Sequence, residues 1–295
     1  MSYEPDSPHM LGAGYFSWDR IVTLAGLAIL CVLAWLYIVA GAGIGASPGD
    51  IASLTLFPHQ HSTDMTGQMR AVAMDNMSMD GTAMKPPTWT FSAWTLVVAM
   101  WWIMMIAMMS PSVVPTIMLY ARVHRQVSGQ PGTREKLAPT AVFAVGYFLI
   151  WLVFSVAAAA LHWMFESAGI ISASNFGSQS RWLSSGVLIA AGAYQFSPIK
   201  NVCLSHCRAP VSFLSRHWRP HVLGSLRLGM LHGAYCVGCC WILMLLLFVG
   251  GVMNVAWIAA LSVLFLIEKT LPFGLLASRS AGAVLIAWGI ATLLI

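Results

Sequence analysis

His232, Cys236, Cys239 and Cys240 stand close together in one apolar run, around the stretch Tyr235-Cys236-Val237-Gly238-Cys239-Cys240-Trp241. At ~100° per residue on a helix these four side chains fall within roughly 100° of the circumference, and Met244 lies about 40° further round. One imidazole, three sulfurs able to act as thiolates and a marginal thioether form a soft donor set. Such a set suits Cu(I) or Zn(II) and suits calcium or magnesium poorly. The alternative is that these cysteines are small core residues. Against it stands the cost of leaving several polar groups unpaired in an apolar medium.

A second group precedes the first. In Lys200-Asn201-Val202-Cys203-Leu204-Ser205-His206-Cys207-Arg208, the two cysteines are four residues apart and share a helix face. His206 sits beside that face, about 60° from Cys203 and about 100° from Cys207. A Cys-x3-Cys pair alone is a weak metal signal, and a neighbouring cluster strengthens it. One shared site requires this segment to dip inward beside Cys236; otherwise there are two sites. Thiols near a reducing cytoplasm read as ligands or redox groups rather than structural disulfides. Cys31, alone in its segment, reads as a core residue.

A third concentration of donors lies in a polar loop. His59-Gln60-His61 is followed by Met65, Met69, Met74, Met77, Met79 and Met84, with Asp50, Asp64, Asp75 and Asp80 between them. Packing does not call for methionine in so polar a segment. Thioethers do not titrate and favour Cu(I), whereas imidazoles also accept Cu(II). Met100, Met104 and Met108 then fall on one row of the following apolar segment, with Met105 and Met109 on the next. Such a stripe is ordinarily packing; here it begins where the Met/His loop re-enters the apolar chain. His162, with Glu166 nearby, could complete an outer site.

The elements that must position these donors are membrane helices. The chain is 58% hydrophobic and 8% charged, with mean hydropathy +0.76, and runs near the ~20 residues that span a bilayer recur along it. Seven are expected, at about 21–45, 91–120, 138–165, 182–200, 226–250, 252–270 and 278–295. The first twenty residues carry Glu4, Asp6, Asp19 and Arg20, so the first run is expected to be a retained anchor. Arg122, Arg125, Arg134, Lys136, Arg208, Arg216, Arg219, Arg227, Lys269 and Arg279 follow the even-numbered runs, with Lys200 at the end of the fourth. Only Arg70, Lys85 and Arg181 follow the odd ones. The positive-inside rule then puts the N-terminus inside and the C-terminus outside. The net charge of +5 follows from this topology, with no nucleic-acid partner implied.

Serine followed by proline is a helix-start signal, and Ser110-Pro111 and Ser197-Pro198 both stand late in apolar runs. The second and fourth helices are therefore expected to be broken or kinked, as membrane helices are where they line a site. The sixth run should end at Glu268-Lys269-Thr270-Leu271-Pro272, with Glu268 paired to Lys269, an interfacial arginine or a metal-site histidine. Three weakly similar helical hairpins result. The expected fold is thus all-α, a polytopic transmembrane bundle of about seven helices. A cytoplasmic tail (1–20), an anchor helix (21–45) and a Met/His-rich outer loop (46–90) precede a six-helix metal-binding domain (91–295).

Residues 191–200, the Cys203-x3-Cys207-Arg208 pair, residues 228–241, Met104–Pro111 and Glu268-Lys269 together resemble a bacterial membrane-protein family. That family is described only as predicted metal-binding integral membrane proteins with a domain of unknown function. The resemblance spans roughly residues 90–275. It implies a multi-pass protein of the bacterial inner membrane with a metal site, and supplies no activity. Copper, with zinc as the alternative, rests on the residues of this chain. No nucleotide loop, zinc-protease motif or serine nucleophile constellation is present. The reading is a copper-handling membrane protein that captures copper at the outer loop and holds or passes Cu(I) at the Cys/His cluster. Its partners would be the bilayer, copper ions, and other membrane subunits or a copper-carrier protein. Two alternatives stay open: an integral subunit of a membrane copper oxidase or monooxygenase, and a membrane thiol–disulfide redox protein.

Overall fold

The computed structural model describes residues 18–40, 89–128, 133–171, 178, 180–218 and 221–294. The outer-loop donors His59, His61, Met65, Met69, Met74, Met77, Met79 and Met84 lie outside them. The helices are α1 (Trp18–Val39), α2 (Phe91–Ser128), α3 (Thr133–Ser167), α4 (Arg181–Tyr194), α5 (Pro198–Arg208), α6 (Pro210–His217), α7 (Val222–Met244), α8 (Leu246–Gly250), α9 (Val255–Thr270) and α10 (Gly274–Leu294). An isolated antiparallel bridge joins Ile171 and Ser178. Among the described residues the fold is otherwise helical, as the composition requires.

Five of these stretches are long and apolar enough to cross a membrane: Ile21–Val39, Phe91–His124, Ala138–Ser167, Val222–Gly250 and Gly274–Leu294. This count stops short of the seven expected from the sequence. α4 has 14 residues and α9 has 16, so they rise only ~21 and ~24 Å against a hydrocarbon core of ~30 Å. Leu33, Leu36, Leu96, Val153, Leu276 and Val284 stand exposed on the outside of the bundle. Apolar residues facing outward on long helices fit a protein whose solvent is lipid.

Close backbone approach organises the interior. α3 packs along α7, and α4 along α10. A Cβ on Gly229 would run into the Phe143 carbonyl, and one on Gly146 into the Leu226 carbonyl. Gly192 and Gly282 meet in the same way between α4 and α10. Small residues at such crossings let two backbones touch, which sustains helix association where water offers no drive. The fourth and fifth apolar runs therefore do not form a simple hairpin: α4 has α10 as its main neighbour and α7 has α3.

The two Ser-Pro signals have different outcomes. At Ser197-Pro198 the helix breaks. Ser197 is the N-cap of α5, its hydroxyl accepting from the Ile199 amide with Pro198 in the first turn. At Ser110-Pro111 the expected break is absent, and α2 runs continuously through Pro111 and Pro115. Proline at 111 removes the amide that would have bonded the Ala107 carbonyl. The Cys31 thiol from α1 reaches that carbonyl at 3.9 Å, and Ser110 Oγ donates to the Ile106 carbonyl at 2.5 Å. A thiol from the neighbouring helix thus approaches the freed carbonyl, as membrane helices allow. α9 ends at Thr270, where the Leu271 amide donates back to the Ile267 carbonyl.

Candidate metal centre

α7 places Cys236, Cys239 and Cys240 inward, all buried to within about 2%. The thiols of Cys239 and Cys240 both turn back onto the Cys236 carbonyl, at 3.0 and 2.9 Å. α5 lies along α7, and its Cys207 is buried in the same core cluster as Cys236, Cys239 and Cys240. Cys203 packs on the same helix, its sulfur 2.9 Å from where a Cβ on Gly238 would stand. The two helices that carry the cysteines therefore lie side by side. The break at Ser197 permits this, because a straight α4–α5 rod could not also follow α7. Tyr194, at the end of α4, donates its hydroxyl to the Gly238 carbonyl and fixes the corner.

The Cys236 sulfur has three further neighbours, each from a different helix. Tyr147 of α3 shares a hydrogen bond with it at 3.0 Å. Lys269 of α9 donates to it at 3.0 Å. Met109 of α2 approaches sulfur to sulfur at 3.9 Å. Lys269 Nζ also reaches the Met109 thioether and the Ser112 hydroxyl, both at 3.4 Å. Three soft or cation-attracting atoms thus surround one buried ammonium.

His232, one turn before Cys236, is buried among the rings of Phe143, Tyr147 and Phe213, with centroids at 6.2, 5.8 and 5.3 Å. Its Nδ1 has no hydrogen-bond partner among the described residues. A buried imidazole nitrogen left unmatched is costly, and a bound ion is one of the partners that completes such a position.

Other expected donors are placed elsewhere. His206 bonds the Val202 carbonyl through Nδ1 at 2.8 Å and stacks on Tyr235 at 4.1 Å, so the structure does not bring it to the thiols. Met244 is buried, but the thioether that reaches Cys236 is Met109. His162 is fully buried and accepts from Trp101 Nε1 at 3.5 Å, beside Phe248 and Trp89. Met100, Met104, Met105, Met108 and Met109 are all buried, as a packing stripe would be, with Met109 opening onto the cluster.

Glu268 has a partner other than those expected. Lys200, fully buried, donates to both its carboxylate oxygens at 2.9 Å, and Gln195 Nε2 adds a bond at 3.1 Å. Lys269, the expected mate, bonds Cys236 instead. Sequence reasoning thus missed Lys269 and Tyr147 as cluster residues, and passed over Met109 for Met244. The only signal was the presence of a lysine and several methionines in apolar runs.

Among the described residues, no three His, Cys, Asp or Glu side chains are disposed as a ready metal cage. The donor chemistry is nevertheless soft, and the unmatched His232 nitrogen and the Cys236–Met109 sulfur contact fit a soft metal.

Residues 98–292 match the model of the family described as PpoB2, copper chaperone. The match covers well over half of the chain, and the chain belongs to that family. No curated protein and no solved structure matches it.

Proposed function

We propose that this member of the PpoB2 family is a membrane-embedded copper chaperone, which collects copper at the Met/His loop, holds Cu(I) at the Cys207/Cys236/Cys239/Cys240 cluster and hands it on. The observation that carries the reading is the contact of the buried Cys236 sulfur with the Met109 thioether, beside Cys239 and Cys240 on the same buried helix face. Thiolate and thioether together select Cu(I) over hard cations. Copper here is cargo, so a donor set that is close but not locked into a cage suits exchange.

In the proposed arrangement the N-terminus is inside, α4–α5 and α9 add two crossings to the five long helices, and residues 59–84 lie outside. The basic loops around Arg125 and Arg216 face the cytoplasm of a bacterial inner membrane. His59 and His61 accept Cu(II), the six loop methionines take Cu(I) after reduction, and the buried α2 methionines lead toward Cys236. His232 serves as a further ligand at the cluster.

Four buried cysteines on two adjacent helices also support a second reading, a dithiol–disulfide cycle. Metal analysis of the purified full chain separates the two. Copper that a strong Cu(I) chelator removes and that reloads reversibly is expected. No copper, with a disulfide that forms and reopens, would establish the redox reading instead. A second arm tests the loop: a peptide of residues 57–86 should bind Cu(I) much more tightly than Zn(II). Met→Leu changes should weaken Cu(I) binding and spare Cu(II) binding, because thioethers serve Zn(II) poorly and imidazoles serve it well. Undiminished Cu(I) affinity in the Met→Leu peptide would remove the loop from the pathway.

A further inference from the structure

We propose that Cu(I) is held between Cys236 and Met109, in the position that the Lys269 ammonium fills in this structure, so that Lys269 is the cation an incoming metal ion must displace. The inference rests on the copper reading above and assigns it a particular pair of ligands and a competitor.

Lys269 Nζ stands 3.0 Å from Cys236 Sγ, 3.4 Å from Met109 Sδ and 3.4 Å from Ser112 Oγ. An ammonium has three donors and no acceptor, so it binds where a small cation would bind. The thioether is the telling neighbour. It is a weak hydrogen-bond acceptor but a good ligand for Cu(I), and a fully buried Met109 has no need to aim its sulfur at an ammonium. The two sulfurs are 3.9 Å apart. A metal about 2.3 Å from each would subtend about 120° between them, using the bond length of zinc–thiolate sites. The pair is therefore already spaced for a bent, sulfur-bound cation, with a position left open toward a further donor.

Charge makes the exchange selective. With Cys236 a thiolate paired to the ammonium, replacing that ammonium by Cu(I) trades one positive charge for another, and the buried site's total does not change. A divalent ion would add a charge where burial makes charge expensive. The geometry of α9 confines the movement to the lysine side chain. Glu268, the preceding residue, is pinned by Lys200 and Gln195, and Gly274 lies close beneath the Glu268 carbonyl. The end of α9 stays fixed while Lys269 swings out.

The test uses the full chain in detergent, reduced and anaerobic, in competition with a chromogenic Cu(I) chelator. Uptake by the wild type reports on the copper reading itself; the variants report on this site. Lys269→Met is expected to hold Cu(I) at least about tenfold more tightly, about 1.4 kcal/mol, because its competitor is gone. Met109→Leu should bind at least about tenfold more weakly, and the double variant should lose the gain. Equal or weaker binding by Lys269→Met, or unchanged binding by Met109→Leu, overturns the inference while leaving a copper-binding wild type intact. If no form takes up Cu(I), the copper reading falls and this site with it. A second readout on the wild type alone covers a variant that fails to fold. Loading with Ag(I) should raise amine-reagent labelling of Lys269, read by mass spectrometry, relative to Lys200. Unchanged labelling of Lys269 in the Ag(I)-loaded protein also overturns it.

Discussion

Lys200→Met is expected to destabilise the folded chain by about 3–5 kcal/mol, the range for removing one partner of a buried ion pair. Lys200 is fully buried, and its ammonium is divided between both oxygens of Glu268 and the Gln195 carbonyl oxygen. Ser278 of α10 donates to the same Gln195 oxygen at 3.0 Å. One network thus ties α5, the end of α4, α9 and α10. Without the lysine, Glu268 keeps a single bond from Gln195 and carries an uncompensated charge inside an apolar bundle. The double variant Lys200→Met/Glu268→Leu removes both charges and should recover more than half of the loss, since well-packed apolar residues often replace a buried pair at little cost. Thermal unfolding in detergent across the four members of this cycle gives the coupling. A single Lys200→Met variant as stable as the wild type would show that the pair does not hold the α4–α5 corner.

The second large effect is steric. In Gly229→Ala the new Cβ would fall on the Phe143 carbonyl of α3, a backbone atom that cannot swing aside. Overpacking ordinarily costs 1–3 kcal/mol, and a clash between two backbones should reach about 3 kcal/mol or more by prying α7 from α3. Tyr147 lies one turn along the same seam, so the Tyr147–Cys236 bond is lost with it. Gly186→Ala is the control. Its Cβ meets nothing within 4 Å, and in the middle of α4 alanine should stabilise by up to about 1 kcal/mol. Unfolding midpoints that fall for position 229 and hold or rise for 186 are expected. Equal behaviour at both positions would mean that the α3–α7 contact is not close.

What the sequence made legible is what local rules govern. The shared face of His232, Cys236, Cys239 and Cys240 follows from helical periodicity alone, and the break at Ser197-Pro198 follows from capping chemistry within three residues. The end of α9 before Pro272 is equally local. Pro111 obeyed the same local rule on paper, yet α2 continues. The deciding contacts include a thiol on α1, 76 residues before the Ala107 carbonyl it reaches. Lys200 read as an interfacial charge because it closes an apolar run. Its burial depends on a carboxylate 68 residues on, which no spacing rule reveals. For the same reason Met109, Tyr147 and Lys269 could not be assigned to Cys236: each arrives from a different helix, and which face of a helix meets which neighbour is fixed by tertiary packing. Hydropathy alone likewise does not show that α4 and α9 are only 14 and 16 residues long.

The central claim is that the α7 cysteines hold soft metal, and Cu(I) retention by the purified, reduced full chain tests it most directly. Wild type and the double variant Cys236→Ser/Cys239→Ser are loaded with Cu(I), passed over a desalting column with a weak competing ligand, and assayed for copper per chain. Both should elute as folded, monodisperse protein, because serine keeps the shape of the side chain. The wild type is expected to retain copper at the cluster. The double variant should lose that share and keep only what the Met/His loop binds. Copper per chain that is the same in the two proteins would contradict the account, since it would place the bound metal away from Cys236 and Cys239.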